Sequence, residues 1–254
     1  MKKVLLTIAG FDPSSGAGLS LDLKVFSRFG CYGLAIPTAL TIQNSYRVYD
    51  YKALSPRLIV ETYRRLKTDF KISGLKIGMT GSPRVLTAVK TILADNQGRP
   101  VVVDPVFRSS SGRWLLDKNH LASYLKVLAG RMTLFTPNLE EASLLLGRKI
   151  NQIKQMEKAA REINQLVQAP CLLKGGHLQD QVIDLLDDGQ ETTVIPKQKL
   201  PVNVHGTGCF LSSAILCFLV KGYSLSAACQ QASLTVDKFL KSPLTISRRP
   251  LFDL

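Results

Sequence analysis

The signatures of several common protein classes are absent from this chain. No apolar run reaches the roughly 18 residues that a membrane-spanning helix needs, and the first apolar segment is too short for a signal peptide. The five cysteines form neither a CxxC pair nor a disulfide framework. We therefore expect a cytoplasmic protein with reduced thiols and no membrane partner.

Two frequent nucleotide-binding motifs are also missing. The chain has no GxxxxGKS or GxxxxGKT loop, and the glycines between Gly10 and Gly18 do not follow GxGxxG. These absences argue against a P-loop enzyme and a dinucleotide-dependent dehydrogenase. Of the three histidines, His177 and His205 are too isolated to suggest a metal site, so we assign them packing or supporting roles.

Acidic residues are scarce relative to basic ones. The 33 lysines and arginines outnumber the 19 acidic residues and give a formal net charge of +14. The basic residues are scattered over predicted helix faces, with neither a basic run nor interleaved aromatic residues. This pattern favours attraction of small anionic substrates over binding of nucleic acid.

Apolar, β-prone runs alternate with amphipathic segments along the 254 residues. This alternation predicts an α/β fold with a mostly parallel central sheet and helices on both faces. A DDG turn between residues 182–186 and 192–195 predicts an antiparallel edge hairpin. No linker or repeat divides the chain, so we expect one domain over residues 1–254. The predicted strands are 4–9, 32–40, 74–79, 100–103, 132–135 and 171–174, and the predicted helices are 19–29, 55–70, 82–96, 121–128, 139–146, 152–168, 209–221 and 224–241.

Polar or charged residues, and one methionine, stand at or just after the ends of the predicted apolar strands. In open α/β sheets ligands bind outside the carboxyl ends of the strands, so one edge of the sheet is predicted to collect the chemistry. The residues at these positions are Asp12, Gln43, Asn44, Met79, Asp104, Asn138 and Lys174.

A glycine turn runs directly into an apolar helix at Val202 to Ala214. Gly206 and Gly208 permit a tight backbone, and the first amides of the helix are unpaired beside its positive dipole end. This arrangement predicts an anion hole, in which Cys209 has its thiolate favoured and accepts a proton or steers a hydroxyl. An ordinary turn before a buried helix, with Cys209 in the core, fits the same pattern.

Three further motifs could complete a phosphoryl-transfer site, and each has a structural alternative. Asp104 at the end of a buried strand could bind Mg2+ or satisfy turn amides. Asn138 and Glu141 share a face of a helix start, and could serve a ligand or cap that helix. Lys174 could reach phosphates or lie at a solvated strand end.

Taken together, the motifs resemble the hydroxymethylpyrimidine/phosphomethylpyrimidine kinases of thiamine synthesis, within the ribokinase-like superfamily. The resemblance covers nearly the whole chain and implies a single-domain three-layer sandwich. Its motifs are Ala9–Gly18 with Asp22, Thr38–Asn44, Lys76–Met79, Asp104–Val106, Ser111–Gly112, Thr136–Ala142, Lys174–His177 and His205–Cys209.

This resemblance implies two successive ATP-dependent phosphorylations of 4-amino-5-hydroxymethyl-2-methylpyrimidine by a homodimer. It implies that Cys209 is the catalytic base in an anion hole formed by Gly206, Thr207 and Gly208. It implies that Asn138 and Lys174 contact the phosphates of ATP. It also implies that Asp104 and Glu141 bind Mg2+. The residues implied around the pyrimidine are Gly10, Asp22, Gln43 and Met79.

Three residues depart from the family pattern. Phe11 stands where a small polar residue is usual, Arg47 where glycine is common, and Phe210 where a hydroxyl residue follows the cysteine. We expect Phe11 to narrow the pocket and Arg47 to meet a substrate phosphate. Pyridoxal kinase of the same fold and a non-catalytic ligand sensor are the alternative functions.

Overall fold

The computed structural model describes residues 2–178, 181–198 and 204–254. Val202 and Asn203 of the predicted glycine turn therefore lie outside the described residues, as does the side chain of His177. The helices are α1 (Gly18–Arg28), α2 (Pro56–Asp69), α3 (Val85–Ala94), α4 (Leu121–Leu128), α5 (Leu139–Leu146), α6 (Ile153–Val167), α7 (Thr207–Val220) and α8 (Leu225–Leu240). The strands are β1 (Val4–Phe11), β2 (Tyr32–Gln43), β3 (Val48–Ala53), β4 (Ile72–Ile77), β5 (Val101–Val103), β6 (Leu134–Phe135), β7 (Cys171–Leu178), β8 (Gln181–Asp187) and β9 (Thr192–Pro196).

In the described part of the chain the strands form one sheet, in the order β3-β2-β1-β4-β5-β6-β7-β8-β9. The six central strands, β2, β1, β4, β5, β6 and β7 in sheet order, are parallel. The strand β3 at one edge and the strands β8 and β9 at the other are antiparallel to their neighbours. The predicted edge hairpin is confirmed. The carboxyl ends of the parallel strands therefore lie along one edge, as the positions of the polar residues predicted.

Helices cover both faces of the sheet, because successive strand side chains point to opposite faces. Val101 and Val103 of β5 pack in a core with α2 to α6, whereas Val102 packs in a second core with α1, α7 and α8. The predicted three-layer sandwich is confirmed. The second core places the N-terminus of α7 above the middle of the sheet edge.

The strand β3 was not predicted, and the second strand was predicted to end at residue 40. In the structure β2 continues to Gln43, and β3 returns antiparallel from Val48. Tyr49, Tyr51 and Ala53 alternate with Asp50 and Lys52 along β3, but none of the residues of this edge strand is buried. The resulting hairpin forms one edge of the sheet.

Helix ends follow local signals. Ser55 caps α2, its Oγ accepting a hydrogen bond from the Leu58 N–H at 3.3 Å, with Pro56 at the first helical position. No described helix has the length and apolar character needed to span a bilayer.

Candidate active site

A cavity of about 320 Å³ lies at the carboxyl edge of the sheet, beneath the N-terminus of α7. Every predicted site residue except Asp22 lines it, although the residues come from widely separated parts of the chain. These are Gly10, Gln43, Met79, Asp104, Asn138, Glu141, Lys174, Gly206, Thr207, Gly208 and Cys209. The sequence-based grouping of these residues at one edge therefore agrees with the structure.

The turn into α7 has the geometry of an anion hole. Gly206, the N-cap residue, has a φ of 84°, and a Cβ there would lie 2.0 Å from the Gly16 carbonyl oxygen, so only glycine fits. No side chain caps α7 in the described structure, and its first amides, which have no partner within the helix, belong to the cavity-lining residues Thr207 to Cys209. A Cβ on Gly208 would lie 3.1 Å from Lys174 Nζ, so the turn also lies against the main cation of the site.

Asp104, which directly follows β5, forms an ion pair with Lys174 of β7. Lys174 Nζ lies 2.7 Å from Asp104 Oδ1, and the exposed fractions of the two side chains are 14% and 4%. Burial alone would raise the pKa of Asp104, but the charges of Lys174 and Lys76 hold it below its ordinary value. The pair is therefore charged in this structure, and Lys174 is not at a solvated strand end.

Asn138 and Glu141 form a capping box at the start of α5. Asn138 Oδ1 accepts from the Glu141 N–H at 2.9 Å, and Glu141 Oε2 accepts from the Asn138 N–H at 2.8 Å. Both residues also line the cavity, so the structural and functional interpretations hold together. Burial raises the pKa of Glu141 to about 8, with the charge of Asp104 adding to the rise and that of Lys174 opposing it.

Asp104 and Glu141 fit a magnesium–nucleotide complex better than a bare ion. Among the described residues no group of three or more histidine, cysteine or acidic side chains could hold a metal. Mg2+ commonly takes one or two carboxylates and completes its shell with phosphate oxygens and water. Because Asp104 contributes to the raised pKa of Glu141, a divalent cation near both carboxylates would relieve their repulsion.

Asp22 does not line the cavity, which corrects the expectation that it contacts the pyrimidine. Both Asp22 oxygens lie 3.0 Å from Lys76 Nζ, and neither side chain is exposed to solvent. Thr7 and Ser213 donate further hydrogen bonds to Asp22, at 2.6 and 2.8 Å. Asp22 is thus the buried counterion of Lys76, because a buried ammonium needs a paired charge.

Lys76 was quoted in a motif but given no role by the sequence reasoning. It lines the cavity from β4. Burial alone would lower the pKa of Lys76, but Asp22, Cys209 and Asp104 raise it. A lysine inside an otherwise apolar strand was the available signal, since lysine is almost never fully buried unless paired.

Cys209 lies where predicted, in the first turn of α7, but its thiolate is not favoured. Burial, with the negative charges of Asp104 and Asp22 adding to it, raises the pKa of Cys209 to about 12. Lys76 and a hydrogen bond from the Gly18 N–H oppose this rise. The expectation of a lowered pKa was wrong because it counted the helix dipole and omitted burial and the neighbouring carboxylates.

His205 orders the loop beside the anion hole. Its Nε2 lies 3.1 Å from Asp12 Oδ2, and Asp12 also accepts hydrogen bonds from the backbone of Ser14 and Ala17. Burial opposes ionisation of Asp12, but His205 and Ser14 hold its pKa below the ordinary value. This geometry agrees with a supporting role for His205.

The side of the cavity nearest β1 and β2, which we call the acceptor side because the resemblance places the pyrimidine there, is mainly apolar. A Cβ on Gly10 would lie 2.7 Å from Met79 Sδ, so a larger residue at position 10 would displace Met79. Phe11 lines this side and is 38% exposed, whereas Arg47 lies outside the cavity. Phe210 is fully buried in the second core, packed against Phe252, so it leaves no gap at the anion hole.

The fold and the cavity define a class: a ribokinase-like phosphotransferase, with an anion hole at a helix start beside a buried lysine and two carboxylates. Within that class, residues 12–250 match the family model described as phosphomethylpyrimidine kinase. The chain belongs to this family.

Individual relatives agree with that assignment. The chain is 35% identical over 241 residues to the hydroxymethylpyrimidine/phosphomethylpyrimidine kinase of Aquifex aeolicus, with 94% of each chain covered. The crystal structure of phosphomethylpyrimidine kinase from Clostridium difficile 630 superposes with a TM-score of 0.81 at 34% identity, covering 93% of this chain and 99% of that one. The pyridoxal kinase of Staphylococcus aureus in complex with AMP-PCP superposes with a TM-score of 0.88 at 29% identity, covering 100% and 93%.

Proposed function

We propose that this enzyme transfers the γ-phosphoryl group of ATP to the hydroxymethyl group of 4-amino-5-hydroxymethyl-2-methylpyrimidine, and then to the monophosphate. The observation that carries the proposal is the 35% identity over 94% of both chains to a kinase of that name. The predicted catalytic, nucleotide and acceptor residues lining one cavity support it.

The anion hole is proposed to stabilise the transferring phosphoryl group. The unpaired N–H groups of Thr207, Gly208 and Cys209 and the positive end of α7 are fixed before the substrate arrives, so they need little reorganisation when charge develops. Lys174 lies beside Gly208 and would contribute a positive charge to the same oxygens.

Asp104 and Glu141 are proposed to hold Mg2+ together with the nucleotide, and Asn138 to contact the nucleotide beside them. When bound, the ion neutralises phosphate charge and fixes the phosphoryl group for in-line attack. Before the ion binds, the charge of Lys174 keeps Asp104 ionised.

Cys209 is proposed to orient the acceptor hydroxyl and receive its proton. With a pKa of about 12, the neutral thiol predominates near neutrality, which supports the steering role before transfer. Only the thiolate, the minor form at this pKa, can accept the hydroxyl proton and return to the thiol, and the charge of Lys76 favours that form.

Gly10, Gln43 and Met79 are proposed to surround the pyrimidine ring. All three line the acceptor side of the cavity. The NH2 group of the Gln43 amide can donate to a ring nitrogen, and its carbonyl oxygen can accept from an exocyclic amine.

Pyridoxal kinase is the second candidate, because pyridoxal kinase structures cover the whole chain with a TM-score of 0.88. ADP release from Mg-ATP should be measured with the hydroxymethylpyrimidine, its monophosphate and pyridoxal offered separately. Turnover with both pyrimidines is expected. Turnover with pyridoxal alone would move the function to vitamin B6, and no turnover with any of the three would favour the sensor.

A cytoplasmic homodimer is proposed as the working form. Leu40 and Ile42 lie on one face of the β2–β3 hairpin and are 48% and 65% exposed, and a second copy could cover these apolar side chains. Light scattering should give a dimer for the purified chain and a monomer for Ile42→Lys, with Ile246→Lys as a control at another exposed isoleucine. A monomeric wild-type protein would contradict the proposal.

A further inference from the structure

A second cavity, of about 650 Å³, lies beside the active site. Three separate segments enclose it: the β2–β3 turn, the loop after β5 and the chain beyond α8. They contribute three arginines, Arg47, Arg248 and Arg249, which we call the arginine collar, together with Ser110 and Ser111. Tyr46 and Pro250 complete its described lining.

Hydrogen bonds join these segments. Arg249 Nη1 donates to Ser110 Oγ at 2.7 Å, and the Val48 N–H donates to Ser111 Oγ at 3.3 Å. The collar is therefore assembled by the fold, although Arg47 and Arg248 remain exposed. Arg47 lies over the Tyr49 ring at 5.7 Å, which restricts its position.

The collar carries an excess of positive charge. None of the described residues that line the second cavity is acidic. Asp50, on the adjoining strand β3, is engaged by another arginine, Arg113, at 2.6 Å. Converging guanidinium and hydroxyl groups match a phosphate monoester, to which arginine can donate two parallel hydrogen bonds.

The second cavity is continuous with the active site, because Ser110 and Arg249 line both cavities. It lies on the acceptor side, since Arg47 follows β2, whereas Lys174 lies on β7. Five strand intervals separate β2 from β7, which is roughly 24 Å at about 4.8 Å per interval. An anion bound by the collar is therefore remote from the proposed nucleotide side.

We propose that the arginine collar, with Ser110 and Ser111, is a capture site for the phosphate of the phosphorylated pyrimidine acceptor. This inference rests on the proposed function and assigns a specificity for the second phosphorylation. The collar attracts the dianionic monophosphate to the cavity mouth and does not select the uncharged alcohol. Because the phosphate must then move to the anion hole to react, the collar affects KM and leaves kcat nearly unchanged.

The test compares Arg47→Gln, Arg248→Gln and the double variant with Arg64→Gln, which removes an exposed arginine of α2 away from both cavities. Steady-state rates are measured with the alcohol and with the monophosphate at saturating Mg-ATP. For the double variant we expect kcat/KM to fall about 10-fold with the monophosphate, through KM, and less than about twofold with the alcohol. The salt dependence of monophosphate kcat/KM should also become shallower.

Calorimetric binding of the monophosphate without nucleotide provides a readout that needs no turnover. Weaker binding by the double variant, with Arg64→Gln unchanged, would support the collar even if the wild-type enzyme failed to phosphorylate the pyrimidines. Three results would contradict the proposed role of the collar and leave the proposed function standing. They are equal losses of kcat/KM with both acceptors, a rise confined to the KM of ATP, and no change in either assay.

Discussion

The floor and the mouth of the active site both carry basic side chains, but the two regions differ in burial and in the acidic residues that surround them. At the floor, Lys76 and Lys174 are paired with Asp22 and Asp104, and none of the four side chains is more than 14% exposed. At the mouth, the arginine collar surrounds a cavity without acidic residues in its described lining.

This difference separates two uses of charge. Buried pairs hold their geometry before substrate arrives, as preorganised stabilisation of a transition state requires. Charges near the surface are screened by salt, so the collar contributes to attraction and selection of an anion more than to the chemical step. Substitutions at the floor should therefore have larger effects than those at the mouth.

The largest effect is expected from Lys76→Met. The change leaves Asp22 buried without its cation, and breaking a buried pair in this way costs about 3–5 kcal/mol of unfolding free energy. Urea denaturation measures the loss. Arg57→Gln, which removes a pair with Glu61 whose side chains are 86% and 54% exposed, should cost under about 0.5 kcal/mol.

If Lys76→Met fails to fold, the double change Lys76→Met with Asp22→Leu should restore folding, because it removes both charges. A single variant as stable as the wild-type protein would show that Asp22 needs no counterion. The floor and the mouth would then not differ in the way described.

The second effect is on catalysis. Cys209→Ala should reduce kcat by about 10² with little change in ATP binding, since a group acting on the acceptor proton is lost. Cys229→Ala, a buried cysteine of the second core, is the matched control and should keep its turnover. An alanine variant at position 209 with full turnover would remove Cys209 from the mechanism.

The protonation of Cys209 can be tested separately. With a pKa of about 12, its alkylation by iodoacetamide should accelerate with every pH unit up to pH 10 without a plateau. Peptide mapping identifies the modified cysteine. A plateau near neutral pH would show that the thiolate is already formed.

The third effect concerns Glu141. Its pKa is raised from 4.5 to about 8, so between these values the folded protein holds a proton that the unfolded chain has released. The free energy of unfolding therefore falls as the pH rises through this window. Glu141→Gln cannot titrate, and its amide oxygen can still accept the Asn138 N–H bond of the capping box.

The melting temperature of Glu141→Gln should therefore rise relative to that of the wild-type protein as the pH increases from 5 to 9. Glu140→Gln, at a neighbouring residue whose side chain is 61% exposed, provides the control. A constant difference between Glu141→Gln and wild type across this range would contradict the raised pKa.

Local and periodic features of the fold could be predicted from the sequence. Ser55 with Pro56 marked the start of α2, and the valines before Asp104 marked a buried strand. Because parallel strands present their carboxyl ends together, residues distant in sequence were correctly grouped at one cavity. The alternation of Tyr49, Tyr51 and Ala53 with Asp50 and Lys52 was an available signal for the edge strand β3, and the prediction did not use it.

Properties that depend on packing could not be predicted in the same way. The raised pKa of Cys209 depends on its burial and on Asp104 and Asp22, which come from other elements. Asp22 was assigned to the substrate from its motif, although its position on the buried face of α1 indicates a side chain that needs a partner. The pairing with Lys76 became visible only when α1 and β4 were brought together.

The smallest effect is expected at Phe11, on the acceptor wall. Phe11 is 38% exposed and its carbonyl accepts a hydrogen bond from Thr41 Oγ1 at 2.8 Å, so the backbone should keep its position when the ring is removed. Phe11→Ser widens the acceptor side. It should lower kcat/KM for the pyrimidine and raise it for pyridoxal, each by about threefold, because partial loss of one apolar contact has modest energetic value.

The measurement is the ratio of kcat/KM for the two acceptors at saturating Mg-ATP, with Phe11→Tyr as the control that keeps the ring. Stability should change by less than about 0.5 kcal/mol, since the side chain lies at the surface. If the ratio is unchanged in Phe11→Ser, Phe11 does not narrow the pocket. Acceptor selection must then depend on residues deeper in the cavity, such as Met79, and the contrast between floor and mouth would extend to specificity as well as catalysis.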